Sequence, residues 1–306
     1  MFQTAIDNTS ILLVCIAIGF IAKRSGIIKS EDTSVLTGVM LNIALPSLLI
    51  MSMQREFEAS VFISSLLMLA LLIIIHIACL AISLPITKLL KAEGGEKIIL
   101  MFSMGFSNTT FMGVAILYAM FGVEAMIYAA MGSLASNILL FTVGIALMLG
   151  GRKHVDIKSV LLNKFILATF VGLLLFVFSI RIPGIIGSGL TMVGSMTTPL
   201  AMIIIGSILA DNDLKSVFFG WKMHIAILFR LIILPIAVFL LLRLFIADEL
   251  VVLILTMLTA MPVAATTAIF ASQYNKEPLL ASKSVFVSTV LCLITIPLVV
   301  MFTELF

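Results

Sequence analysis

Charged residues are scarce in this chain. Only 11% of its 306 residues are Asp, Glu, Lys or Arg, while 62% are hydrophobic; soluble domains run at about 25% charged and roughly 45–50% apolar. The eighteen Lys and Arg exceed the fifteen Asp and Glu by a formal charge of only +3, too small a basic excess for a nucleic-acid partner. Cysteine is equally rare. Cys15, Cys79 and Cys292 each lie inside an apolar run, odd in number and without metal-ligand spacing, so neither a disulfide framework nor a metal or other cofactor is expected. No HExxH, GxSxG, Walker-type phosphate loop or paired-Asp metal site occurs, and the expectation is a protein that is not an enzyme.

Apolar sequence fills the space that charge leaves. A membrane-crossing helix takes roughly 20 apolar residues, about 30 with a connection, and a chain of 306 residues then has room for about ten. Apolar runs fall near residues 5–22, 33–53, 60–87, 96–119, 125–150, 160–180, 187–210, 217–246, 250–273 and 279–302. No basic stretch precedes the first run, so it is expected to be a retained span and not a cleaved signal. Of the eighteen Lys and Arg, Arg55, Arg181 and Arg243 fall on one side of this arrangement, Arg230 lies inside a span, and the remaining fourteen fall on the other side. The positive-inside rule then puts both termini outside a cell (plasma) membrane, extracellular or periplasmic.

The chain resembles itself at an offset of half its length. Pro46 and Pro199 are 153 positions apart, as are Glu124 and Glu277. Five spans per half is an odd number, so the second half enters the membrane inverted. The expected organisation is a first repeat at 1–150, a cytoplasmic connection at 151–159 and a second repeat at 160–306. Inverted repeats are a signature of secondary transporters, whose substrate sites lie near the midplane where discontinuous helices meet.

The fourth and ninth runs carry the residues that would break a helix there. The fourth, LMFSMGFSNTTFMGVAIL, holds Gly105, Asn108, Thr109 and Thr110; the ninth, LTMLTAMPVAATTAIFASQY, holds Pro262, Thr266 and Thr267. Backbone groups freed by Gly and Pro survive in a membrane only where protein or water satisfies them. Half-helix N-termini at such breaks present N–H groups and positive dipole ends to an anion. Ser and Thr in membrane helices also bond their own backbone or neighbouring helices, so each hydroxyl alone is weak testimony; the paired positions are stronger.

No carboxylate falls mid-span, which disfavours a carboxylate relay or a cationic substrate and fits an anion. Two other ionisable residues do fall mid-span, His76 and Arg230, 154 positions apart and thus nearly equivalent in the two halves. Arg230 could neutralise a substrate carboxylate or donate to helix-end carbonyls. His76 reads as a satisfied interior histidine or as a coupling group that titrates near neutrality.

The segments ALPSLL at 44–49, SNTTFMG at 107–113, TPLAMIIIG at 198–206 and MPVAATTAIFASQYNKEPLLAS at 261–282 resemble the auxin efflux carrier family, and VSTVLCLITIPLV at 287–299 continues the likeness. That family includes bacterial permeases for malate or malonate and plant PIN-type exporters. The resemblance implies an all-α membrane protein of ten helices in two inverted five-helix repeats, similar to bile acid:sodium symporters. It also implies a scaffold of helices 1, 2, 6 and 7, with helices 4 and 9 crossing in a transport domain. By the family's pattern Asn108 and Pro262 mark the crossover, and helix-2 pocket residues fall around Asn42 and Ser47. The chain departs from plant members in having Ser107 where they carry proline and in lacking their long central loop, which points to a bacterial-type carrier. The function expected is transport of a small organic anion, with a homodimer and a coupling ion (sodium or proton) as further expectations. The alternatives are a sodium- or proton-coupled symporter of another organic anion and a membrane receptor that binds without translocating.

Overall fold

The computed structural model describes residues 2–150, 164–210 and 220–305; the 151–159 connection lies outside them. The described residues are helical, and the one β-type pairing among them is an isolated antiparallel bridge between Ser107 and Val263. Six continuous helical stretches are long and apolar enough to cross a membrane: Glu31–Ser52, Ala59–Leu89, Val123–Met148, Gly184–Ile208, Trp221–Arg243 and Pro278–Leu305. The runs near 96–119 and 250–273 are absent from that set because their helices are interrupted.

In chain order the helices are α1 (Phe2–Arg24), α2 (Ser30–Val39), α3 (Leu45–Ser52), α4 (Ala59–Leu89), α5 (Gly94–Gly105), α6 (Val114–Phe121), α7 (Met126–Leu139) and α8 (Ile145–Met148). They continue as α9 (Lys164–Val177), α10 (Gly184–Ser195), α11 (Thr197–Ala210), α12 (Trp221–Leu228), α13 (Leu234–Arg243), α14 (Glu249–Ala260), α15 (Thr266–Gln273) and α16 (Pro278–Leu305). Large apolar side chains point outward from many of them, Ile185 at 92% and Ile74 at 60% exposure among them. On a soluble surface so much exposed apolar area would drive association; against lipid it is the expected outer face of a bundle whose backbone bonds are satisfied internally.

Two sets of helices pack among themselves. In one, α1 lies along α11, while α3 lies against α9 and α10. The α1–α11 crossing is close because both partners present glycine. A Cβ on Gly19 would fall 2.1 Å from the Ile203 carbonyl oxygen, and one on Gly206 would fall 2.0 Å from that of Ile16. Small residues at such crossings let backbones approach where lipid supplies no hydrophobic drive. In the second set α4 packs on α5 and α7, α13 on α14, and α15 on α16. The sets meet where α1 faces α6 and α16, where α11 faces α6, and where α3 and α9 face α7.

Four stretches widen into π-turns: Met40–Ala44 between α2 and α3, Thr109–Gly113 before α6, Leu140–Gly144 between α7 and α8, and Phe229–Ile233 between α12 and α13. Two end one residue short of a proline. Pro46 has no N–H for the Asn42 carbonyl, and the Leu45 N–H reaches back five residues to Met40; likewise Leu234 N–H reaches Phe229 just before Pro235. Widening the turn relieves the ring's clash with the carbonyl four residues back. Pro85 and Pro297 lie inside α4 and α16, so proline favours such a turn without dictating it.

Candidate functional site

The two interrupted helices meet at their breaks. Helix α5 stops at Gly105 and the chain passes through extended Phe106 before winding again at Thr109; α14 stops at Ala260 and rewinds as α15 at Thr266. The extended pieces run antiparallel and bond to each other. Asn108 N–H donates to the Pro262 carbonyl at 2.8 Å, and Ala264 N–H donates to that of Phe106 at 3.0 Å. Ser288 Oγ of α16 accepts from Val263 N–H at 3.1 Å. Each break thus supplies the backbone partners the other has lost, which is how irregular backbone is tolerated at membrane depth.

Arg230, 1% exposed, sits under this crossing. Its Nε donates to the Met261 carbonyl at 3.2 Å and its Nη1 to the Met104 carbonyl at 3.1 Å. Those carbonyls belong to the C-terminal ends of α14 and α5, where unsatisfied oxygens carry the negative end of each helix dipole. One guanidinium therefore joins both helix ends. His76 is also buried; its Nδ1 lies 2.8 Å from the Leu72 carbonyl and its ring 6.0 Å from that of Phe106, packing it behind the break. Gly105 permits a close approach to α4, since a Cβ there would meet Leu80 Cδ2 at 2.5 Å.

On the other side of the crossing is a cavity of about 370 Å³, within the size range of small-molecule sites. The first set of helices contributes Leu41, Asn42 and Lys164; the second contributes Ser107, Asn108, Thr109, Thr110, Ser136, Asn137 and Thr266, with Phe106, Leu140, Phe141, Ala264 and Ala265 as its apolar wall. Three of the four π-turns reach it, through Leu41–Asn42, Thr109–Thr110 and Leu140–Phe141. Among the described residues, the hydroxyls of Ser107 and Thr266 have no hydrogen-bond partner. Asn137 Nδ2 donates to Thr110 Oγ1 at 2.9 Å and to the Ser133 carbonyl at 2.8 Å. Thr110 accepts that bond, so its own O–H is left to donate elsewhere.

The sequence candidates thus divide. Asn42, Asn108, Thr109, Thr110 and Thr266 line one cavity, and Pro262 fixes its floor through Asn108. Thr267 is buried but not part of the lining, and Ser47 is buried with its hydroxyl bonded to the Ile43 carbonyl. Arg230, His76 and Gly105 lie behind the crossing and do not line the cavity. Pro46 follows the first π-turn, and Pro199 is exposed in the first turn of α11. Sequence reasoning did not single out Lys164, Ser136 or Asn137. Asn137 had a legible signal, an amide inside the apolar fifth run; Lys164 was counted only among the basic connections.

The model of a family described as membrane transport proteins matches residues 5–160 and 153–300. An uncharacterized transporter of Methanocaldococcus jannaschii is 28% identical over 306 residues, covering 95% of this chain and 96% of the relative. A second uncharacterized transporter, from Methanothermobacter thermautotrophicus, is 23% identical over 307 residues, covering 97% of this chain and 98% of the relative. Matched along almost its whole length, this multi-pass membrane chain belongs to the membrane transport protein family, that of the auxin efflux carriers.

Proposed function

We propose that the protein is a secondary or facilitative carrier for a small organic anion, a mono- or dicarboxylate of the malate or malonate kind. The observation that carries this reading is the cavity beside the crossed breaks. Its polar lining consists of amides, hydroxyls and one lysine, with no carboxylate among the described residues. The N-terminal ends of the rewound segments at Thr109 and Thr266 border it, adding positive dipole ends. Charge, hydroxyl donors and dipole ends all favour a carboxylate over a cation.

The crossing also supports a ten-helix, inverted-repeat organisation in a cell membrane, because the two breaks come from corresponding places in the two halves. Transport is then a shift of the second helix set, which carries most of the site, against the first, which carries Leu41, Asn42 and Lys164. A substrate held between them faces one side and then the other.

Counterflow tests this. Liposomes holding the purified protein and unlabelled malate are offered labelled malate, with malonate, lactate and indole acetate as competitors. Label should accumulate without an ion gradient and be lost on Asn108→Ala, whose amide lines the site. Wild-type exchange in the Asn108→Ala protein would remove the site assignment, and no exchange of any of these acids would remove the carboxylate reading.

A further inference from the structure

We infer that Lys164 reads the substrate's charge, giving the carrier a preference for anions with one carboxylate over those with two. This rests on the carrier reading above and narrows its substrate class.

Arg230, the intramembrane cation that the sequence offers first, is unavailable to a ligand in the cavity. It is 1% exposed, is committed to the Met104 and Met261 carbonyls, and does not line the cavity. Lys164 is the sole ionisable side chain among the described lining residues, and it comes from α9, across the cavity from the crossed breaks. The formal charge that the described lining residues turn to a ligand is therefore +1, supplemented by neutral donors at Ser107, Thr110 and Thr266 and by the dipole ends beside them.

A first carboxylate placed between Lys164 and those donors is paired and hydrogen-bonded. A second meets no further cation among the described lining residues, only neutral amides and hydroxyls such as Asn42 and Asn137 beside an apolar wall. A second charge held only by neutral groups loses hydration without an ion pair to offset it. Lys164 also sits on the opposite helix set from the donors, so a bound carboxylate bridges the two bodies. Its charge is then both a selector and a tie between them.

The test uses two acids of nearly the same body and different charge, malonate and its monomethyl ester, as competitors of whichever labelled acid the wild-type protein exchanges in counterflow. The wild-type protein should be inhibited more strongly by the monoester. Lys164→Gln should raise the half-saturation concentration for the monoanion about tenfold, the size of one charge-assisted hydrogen bond. It should also erase the difference between the two competitors. Lys164→Arg keeps the charge and should stay within about threefold of wild type, separating a charge effect from a folding defect.

Stronger inhibition by malonate than by its monoester in the wild-type protein would overturn the inference and leave the carboxylate carrier standing. So would a Lys164→Gln protein with unchanged half-saturation and selectivity. Failure of every acid to exchange would remove the carrier reading and the inference with it.

Discussion

At the scale of single residues, Arg230 shows how one cation can be kept inside a membrane without a carboxylate. Two helix C-termini, each equivalent to roughly half a negative charge, converge on its guanidinium through the Met104 and Met261 carbonyls. Removing the side chain leaves both carbonyls buried and unbonded. Arg230→Met should therefore destabilise the protein by about 2–4 kcal/mol, read as a lower unfolding temperature in detergent. Arg230→Lys, with a point charge in place of a planar fork, should recover only part of that loss. An Arg230→Met protein as stable as wild type would mean that the two helix ends are held by something else. This bracing role was one of two that the sequence left open, because periodicity locates Arg230 inside a span but does not say which way the helix turns it. The same limit hid Lys164: a lysine at the edge of a span looks like any other basic connection until the helix opposite is placed. Asn108, Thr109, Thr110 and Thr266 were legible because broken helices announce themselves through Gly, Pro and clustered hydroxyls in otherwise apolar runs.

At the scale of elements, the π-turns were not legible, although their causes lie in the sequence. A widened turn is a local compromise among a proline ring, its neighbours and the packing on both sides, and Pro85 and Pro297 show that the residue alone does not decide it. Between α2 and α3 the widened turn sets the rotation at which Leu41 and Asn42 reach the cavity. Restoring an N–H at position 46 gives the Asn42 carbonyl a partner and lets Glu31–Ser52 run as a regular helix, turning one part against the other by about 100°, one residue's worth of rotation. Pro46→Ala should thus leave the unfolding temperature equal or raised while slowing exchange about tenfold, since a regular helix gains a hydrogen bond but misplaces the cavity wall. Measuring both on one preparation decides the matter: a stabilised protein that exchanges at the wild-type rate would show that the π-turn plays no part in building the site. The interrupted helices α5–α6 and α14–α15, by contrast, stop and restart within the segments that the sequence marked, because there the breaking residues act through backbone hydrogen bonding alone.

At the scale of the whole molecule, the cavity has a sidedness that labelling can read. Lys164, Lys97 and Lys222 share one face by the charge arithmetic of the connections, and the Lys222–Glu96 pair at 2.8 Å ties α12 to α5 on that face. The opposite face carries Arg55, Glu56 and Arg181; there Ile182 N–H donates to Gln54 Oε1 at 2.7 Å and Phe57 N–H donates to Ser179 Oγ at 3.3 Å. These bonds join the α3–α4 connection to the α9–α10 connection, while the cavity includes Lys164 on the lysine-rich side. For the proposed carrier, a state so arranged would admit solutes from the lysine-rich face, the one expected to be cytoplasmic by the positive-inside rule. In a protein whose three native cysteines are replaced, Ala265→Cys places a small thiol on the cavity wall and Val123→Cys, at a site 54% exposed, marks the opposite face. A membrane-impermeant maleimide should label Ala265→Cys from the lysine-rich face and Val123→Cys from the other, and a saturating anion should slow the first reaction only. Labelling of both thiols from one face would reverse the orientation of the cavity. Equal labelling of Ala265→Cys with and without an anion would detach the cavity from the substrate, because a ligand seated on Asn108 and Thr266 must cover the residue between Ala264 and Thr266.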